Sequence, residues 1–107
     1  MRRGEVWWVN FTPSIGGEIQ KTRPAVIVSN NSSNNSLNRI QVVPLSGKTE
    51  KLYPSETLVI IESKANKAMA DQLTTVSKTR LFQHAGVLSE QDMQKVEEVI
   101  KMQLGLR

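Results

Sequence analysis

Glu5-Val6-Trp7-Trp8-Val9-Asn10-Phe11 is dense in aromatic and β-branched residues and reads as a β-strand. Successive side chains of a strand point to opposite faces, so Val6 and Trp8 share one face and Trp7 and Val9 the other. Both faces are therefore apolar. A surface strand needs only one apolar face, so the second must meet another layer or another subunit. Trp7 and Trp8 are accordingly assigned to the core or to a dimer interface.

Other runs of strand length follow: Pro24-Ala25-Val26-Ile27-Val28-Ser29, Arg39 to Leu45 with an end near Pro44, and Glu56 to Ile61. Met69 to Val76 and Gly86 to Leu88 are further short candidates, with a turn of helix near Lys78 to Leu81. Three segments read as loops: Thr12 to Thr22 with Pro13, Gly16 and Gly17, the Asn/Ser-rich Asn30 to Asn38, and a polar turn region from Gly47 to Ser55. Long loops inside small domains are often functional.

The end of the chain differs. Ser89-Glu90-Gln91-Asp92 has the form of a capping box, and Met93, Val96, Ile100 and Leu104 recur at helical spacing. The pattern predicts a helix over about 90–104, ended by Gly105. With 107 residues, no internal repeat and no linker, residues 1–107 form a single domain. Short strands, long loops and one closing helix fit a mainly β, small, partly open barrel with a C-terminal α-helix.

Composition narrows the function. The chain has no cysteine, hence no disulfide framework and no thiolate metal site. No apolar run approaches the roughly 18 residues that span a bilayer. Met1-Arg2-Arg3-Gly4-Glu5 is basic but lacks a following apolar stretch, so it is no signal peptide and the expected compartment is the cytoplasm. The net charge is +4, and residues 1–88 hold 11 Lys/Arg against 6 Asp/Glu. Such an excess attracts polyanions, nucleic acid among them. One histidine, His84, rules out a two-histidine acid–base pair within one chain, and it is expected to be partly exposed and structural. The scattered carboxylates do not suit two-metal nuclease chemistry, and no His/Cys cluster suits zinc. No cofactor is expected.

Five segments stand out in order: Arg3-Gly4-Glu5-Val6-Trp7, Gly16-Gly17-Glu18, Thr22-Arg23-Pro24-Ala25-Val26-Ile27-Val28-Ser29-Asn30, Val42-Val43-Pro44-Leu45-Ser46, and Met69-Ala70-Asp71-Gln72 with Lys78, Arg80 and Leu81. Together they resemble the MazF/PemK (Kid) family of toxins. The resemblance spans nearly the whole chain. It implies an SH3-like barrel, a homodimer, and sequence-specific, metal-independent cleavage of single-stranded RNA. It also implies a cognate antitoxin whose acidic, flexible segment covers the RNA site. In many members the products carry a 2′,3′-cyclic phosphate and a 5′-hydroxyl.

Cleavage of that type needs no protein nucleophile, because the substrate 2′-hydroxyl attacks the adjacent phosphate. The protein positions groups in line and stabilises charge on the phosphorane. The family's essential Arg maps onto Arg23, whose planar fork fits two phosphate oxygens. A guanidinium keeps its proton at any ordinary pH, which favours transition-state electrostatics over proton transfer as its main role. The family's catalytic Thr/Ser maps onto Ser46, a hydroxyl that can donate to a phosphate oxygen. Glu18 matches a family carboxylate, placed to accept the 2′-hydroxyl proton or to hold Arg23. Gln72 matches a position near the RNA path and can bond a base edge or a phosphate. Lys21, Lys48 and Lys51 extend a basic groove, and Tyr53 is the best base-stacking candidate. Two other readings compete. One is a non-enzymatic toxin resembling CcdB, disfavoured because the end, Gln103-Leu104-Gly105-Leu106-Arg107, lacks the Trp of that class. The other is a plain SH3-like RNA- or peptide-binding module, which would not require Arg23 and Ser46 together.

Overall fold

A computed structural model describes residues 1–13, 15–19 and 21–107. Ser14 and Gln20, both in the Thr12 to Thr22 segment, lie outside the described residues. The chain runs β1 (Glu5–Asn10), β2 (Thr22–Ile27), α1 (Asn31–Ser36), β3 (Arg39–Ser46), β4 (Glu56–Ile61), β5 (Lys64–Met69), β6 (Thr74–Ser77), β7 (Leu81–Val87) and α2 (Glu90–Leu104). Short 3₁₀ turns, Ala70–Gln72 and Lys78–Arg80, flank β6. All strand pairs are antiparallel, in the order β4-β5-β3-β2-β1-β7, with β6 also pairing β3. The two ends of this order approach each other: a Cβ added at Gly86 of β7 would stand 2.5 Å from Ile61 Cδ1 at the end of β4. The sheet is thus a curled, partly open barrel.

The prediction that β1 meets a layer on each face holds. Val6 lies in one core with Val26, Val43, Leu45, Val59 and Ala68 of the sheet and Leu88, Met93 and Val96 beneath it. Val9 lies in a second core with Phe11, Ala25, Ile27, Ile40, Val42, Val76 and Leu81. On β2 and β3 alternate residues go to alternate cores, so both faces of the central strands are dry. Trp7 packs against the second core, half-buried, and its indole Nε1 donates to Glu5 Oε1 at 2.9 Å. Trp8 is not a core residue. It is 36% exposed and faces a groove with Pro24, Ile61 and His84. The apolar count of β1 exceeds what two thin cores can take, and Trp8 sits at the rim.

β3 runs to Ser46, one residue past the expected Arg39 to Leu45. On one side it pairs β6 through Arg39–Val42 and β5 through Leu45–Ser46, skipping Val43 and Pro44. Proline, which has no N–H, sits where that edge has no partner to satisfy. Helix α2 forms as the local signals dictate. Ser89 caps it by accepting from the Asp92 amide at 3.1 Å, and Gly105 ends it with φ +70°. Asp92 Oδ2 also accepts from the Ile60 amide at 2.8 Å, tying the helix to the exposed edge of β4. Met93, Val96 and Val99 are its buried residues, whereas Leu104 is 53% exposed. Val99 completes the helical stripe, and Leu104 lies past the sheet it would have covered.

Four segments differ from the sequence-based expectation, the first being β5, a strand over Lys64–Met69 where none was expected. Asn30 to Asn38 is not a loop throughout: Asn31–Ser36 is helical, capped by Asn30, which accepts from the Ser33 amide at 2.9 Å. Its Asn34 is buried and donates to the Ser29 carbonyl at 2.9 Å. Met69 to Val76 is not one strand, since the turn at Ala70–Gln72 separates β5 from β6. The last strand begins at Leu81 rather than Gly86. Among the described residues, no helix is long and apolar enough to cross a membrane.

Candidate nucleic-acid site

Arg23 and Ser46 are brought to the same end of the same sheet face. Arg23 stands opposite Val9 and therefore shares its face, that of the second core. The printed β2–β3 pairs end at Ala25↔Pro44, and continuing that register by two residues sets Arg23 across from Ser46. Ser46 is 6% exposed, and its Oγ accepts from the Lys48 amide at 3.2 Å. Arg23 is half-buried. Its Nε is the buried side-chain nitrogen that has no hydrogen-bond partner among the described residues. A buried donor without a partner costs about 1–3 kcal/mol, so its retention calls for a use.

A second cluster adjoins Ser46. Ser46 pairs with Lys67 on β5, and the Lys67 Nζ donates to Glu56 Oε1 at 3.0 Å and to the Lys51 carbonyl at 3.1 Å. Lys67 is 8% exposed, and the Glu56 side chain is almost fully enclosed. The same Glu56 oxygen accepts from the Tyr53 amide at 2.8 Å. The Tyr53 ring is exposed, with the Lys51 ammonium 4.9 Å and the Lys67 ammonium 5.2 Å from its centroid. Lys48, Lys51 and Tyr53 thus gather at one loop beside Ser46.

Glu18 and Gln72 lie together in a separate groove, lined also by Phe11, Ile19, Asp71 and Arg80. Glu18 is exposed, and its Oε1 accepts from the Ile15 amide at 2.6 Å, closing a turn of the first loop. Gln72 Nε2 donates to the Gly17 carbonyl at 3.3 Å, pinning that loop to the sheet. Lys21 is exposed with φ +62°, and its carbonyl accepts from the Phe11 amide at 2.8 Å, closing the mouth of the loop just before Arg23. His84 is exposed and meets Trp7 edge-on, with ring centroids 5.4 Å apart. Sequence reasoning did not single out Arg80 as a site residue. Its Nη1 donates to the Asn10 and Thr12 carbonyls at 2.9 and 2.6 Å, fixing the start of the first loop. Lys67 and Glu56 were also missed. Their signal was an oppositely charged pair spaced across a hairpin, visible only once β5 is known to be a strand.

A curled antiparallel sheet, one closing helix, and cationic and hydroxyl groups gathered at strand ends define a small barrel suited to polyanions. The sequence matches the PemK-like, MazF-like toxins of type II toxin–antitoxin systems over residues 2–104, and the chain belongs to that family. Endoribonuclease MazF9 of Mycobacterium tuberculosis is 34% identical to it, over 99% of this chain and 98% of its own length. Endoribonuclease MazF of Staphylococcus saprophyticus is 30% identical, over 99% and 92%. The fold is shared with the crystal structure of MazF from Deinococcus radiodurans, at TM-score 0.87, 22% identity and coverage of 99% and 97%. It is shared too with a mycobacterial endoribonuclease in complex with its cognate antitoxin, at TM-score 0.84, 23% identity and coverage of 100% and 97%.

Proposed function

We propose that this chain is an endoribonuclease toxin that cuts single-stranded RNA at short words without a metal ion, works as a homodimer in the cytoplasm, and is silenced by a cognate antitoxin. The observation that carries the reading is the enclosed, partnerless Nε of Arg23 on the face that the strand register shares with Ser46. Nε itself is enclosed, so the terminal nitrogens of the same guanidinium, which carry no hydrogen bond or ion pair among the described residues, are the donors that meet an incoming phosphate. Two curated relatives, each matched over nearly the full chain, are named endoribonucleases, which supports RNA as the substrate. A structural neighbour solved with its antitoxin supports the protein partner.

The chemistry follows from the groups present. The substrate 2′-oxygen attacks phosphorus, its proton passes to a base, and the 5′-oxygen leaves with a proton. The products are a 2′,3′-cyclic phosphate and a 5′-hydroxyl. Arg23 stabilises the phosphorane oxygens, and the Ser46 hydroxyl donates to a non-bridging oxygen. Glu18, in the neighbouring groove, orients the first loop that leads to Arg23 by accepting from the Ile15 amide. Lys21, Lys48 and Lys51 supply the field that draws the backbone in, with Tyr53 and Gln72 contacting bases. Incubation with a long single-stranded RNA in EDTA, followed by mass analysis of the ends, tests the reading. Discrete cuts with cyclic-phosphate ends are expected, slowed about 10²–10³-fold by Arg23→Ala. Uncut RNA, or cutting by Arg23→Ala at the wild-type rate, would refute it. The same RNA hybridised to its complement should resist.

A further inference from the structure

We infer that the buried Lys67–Glu56 ion pair is a positioning device that holds the loop from Gly47 to Ser55 in the shape in which it reads RNA; this rests on the nuclease reading above. The pair is not an ordinary surface bridge. Both side chains are enclosed, and removing two charges from water is costly unless every remaining donor and acceptor is used. Here one further ammonium N–H and one carboxylate oxygen are used on the loop. The Lys67 ammonium bonds the Lys51 carbonyl, and the Glu56 oxygen takes the Tyr53 amide. Two backbone groups of one loop, two residues apart, are thus fixed to opposite members of one ion pair anchored on neighbouring strands. The pair also orients the exposed Tyr53 ring and holds Lys51 beside it, next to Ser46 through the β3–β5 ladder.

The fold itself does not need this pair. Well-packed apolar residues of similar size commonly replace a buried ion pair at no loss of stability. What apolar residues cannot supply is the bond to the Lys51 carbonyl and to the Tyr53 amide. Lys67 and Glu56 therefore act on RNA through the loop, by ordering it before substrate arrives, so that binding does not bear that entropy.

The double variant Glu56→Leu/Lys67→Met tests this against the wild type. The expected result is a near-native melting temperature, a KM for a defined single-stranded RNA raised about tenfold, kcat within about threefold, and a broader set of cut words. Amide exchange at Tyr53 should quicken at least about tenfold. Affinity for single-stranded 2′-O-methyl oligoribonucleotides, which cannot be cleaved, should fall in proportion to the rise in KM. If the double variant folds with unchanged KM, cut words and Tyr53 exchange, the inference is overturned. If it melts far lower, the pair is structural and the inference also falls. Wild-type protein that binds the uncleavable oligomers but cuts no RNA would refute the nuclease reading. The inference would then stand or fall on the double variant's affinity for those oligomers.

Discussion

Replacing Arg23 with methionine separates what the guanidinium does for the fold from what it does for RNA. Arg23 lies on β2 opposite Val9, with its Nε buried and without a partner among the described residues. A donor enclosed in that way costs about 1–3 kcal/mol, and methionine keeps an unbranched stem of comparable reach while removing the donor. At the low end of that range, the gain in stability is about 1 kcal/mol. For a domain near this size that corresponds to a rise of about 4 °C or more in Tm. Activity moves the other way. Loss of one preorganised donor to transition-state charge lowers kcat by about 10²–10³, equivalent to about 2.7–4 kcal/mol. Thermal unfolding and single-turnover cleavage of one defined single-stranded RNA measure both effects on the same preparation. Arg23→Lys is the companion variant: it keeps the charge but not the fork, and should recover only a small part of the rate. A methionine variant that melts several degrees lower while cutting RNA at the wild-type rate would show that Arg23 serves the fold, and the site argued above would fail with it.

Further outcomes follow from the packing and from one perturbed carboxyl. Gly86 has φ +153°, and an added Cβ would meet Ile61 Cδ1 at 2.5 Å, so Gly86→Ala should lower Tm by several degrees. Ile61→Val should restore only part of that loss in the double variant, because the backbone strain stays; full recovery would locate the whole cost in the clash. Ser89→Ala should lower the unfolding free energy by about 1 kcal/mol at unchanged m in a urea titration, and an unchanged midpoint would deny the cap its role. Burial pushes the Glu5 carboxyl up, but the Trp7 indole, the Arg2 amide, the N-terminal ammonium and His84 outweigh it, leaving its pKa below the ordinary glutamate value. A carboxyl lowered in the folded state stabilises the fold above its unfolded pKa, and that contribution vanishes as pH falls through the folded value. Tm of the wild type should therefore drop on acidification below about pH 4.3, more steeply than that of Glu5→Gln. Parallel curves for the two proteins would contradict the assignment.

Local signals were legible in the sequence, and long-range ones were not. Helix α2 was readable at both ends because Ser89 and Gly105 act within one turn of themselves. Strand β1 was readable because two apolar faces demand two layers, and the two cores meet that demand. Helix α1 was hidden because its stability comes from polar satisfaction: Asn30 caps it and the buried Asn34 bonds Ser29, with no apolar stripe to announce it. Strand β5 was hidden for a related reason. Lys64-Ala65-Asn66-Lys67-Ala68-Met69 looks solvated, and Lys67 can be buried only because Glu56, across the hairpin, neutralises it.

The candidate site shows the same division at closer range. Arg23 precedes the apolar run of β2, and Ser46 follows that of β3. Nothing local connects them. What connects them is that β2 and β3 alternate between two dry cores, so the first polar position beyond each run on the second-core face still lies at the mouth of that core. A charge at such a mouth is less screened than one on an open sheet, and its pull on a phosphate is correspondingly stronger. Side-chain period two makes the arrangement sensitive to register, because a slip of one residue between β2 and β3 would turn Arg23 or Ser46 to the opposite face. The pairing Ala25↔Pro44 therefore matters as much to the proposed chemistry as the identity of either side chain. Pro44, buried where β3 changes partner from β6 to β5, helps mark that register by refusing a ladder bond on one side.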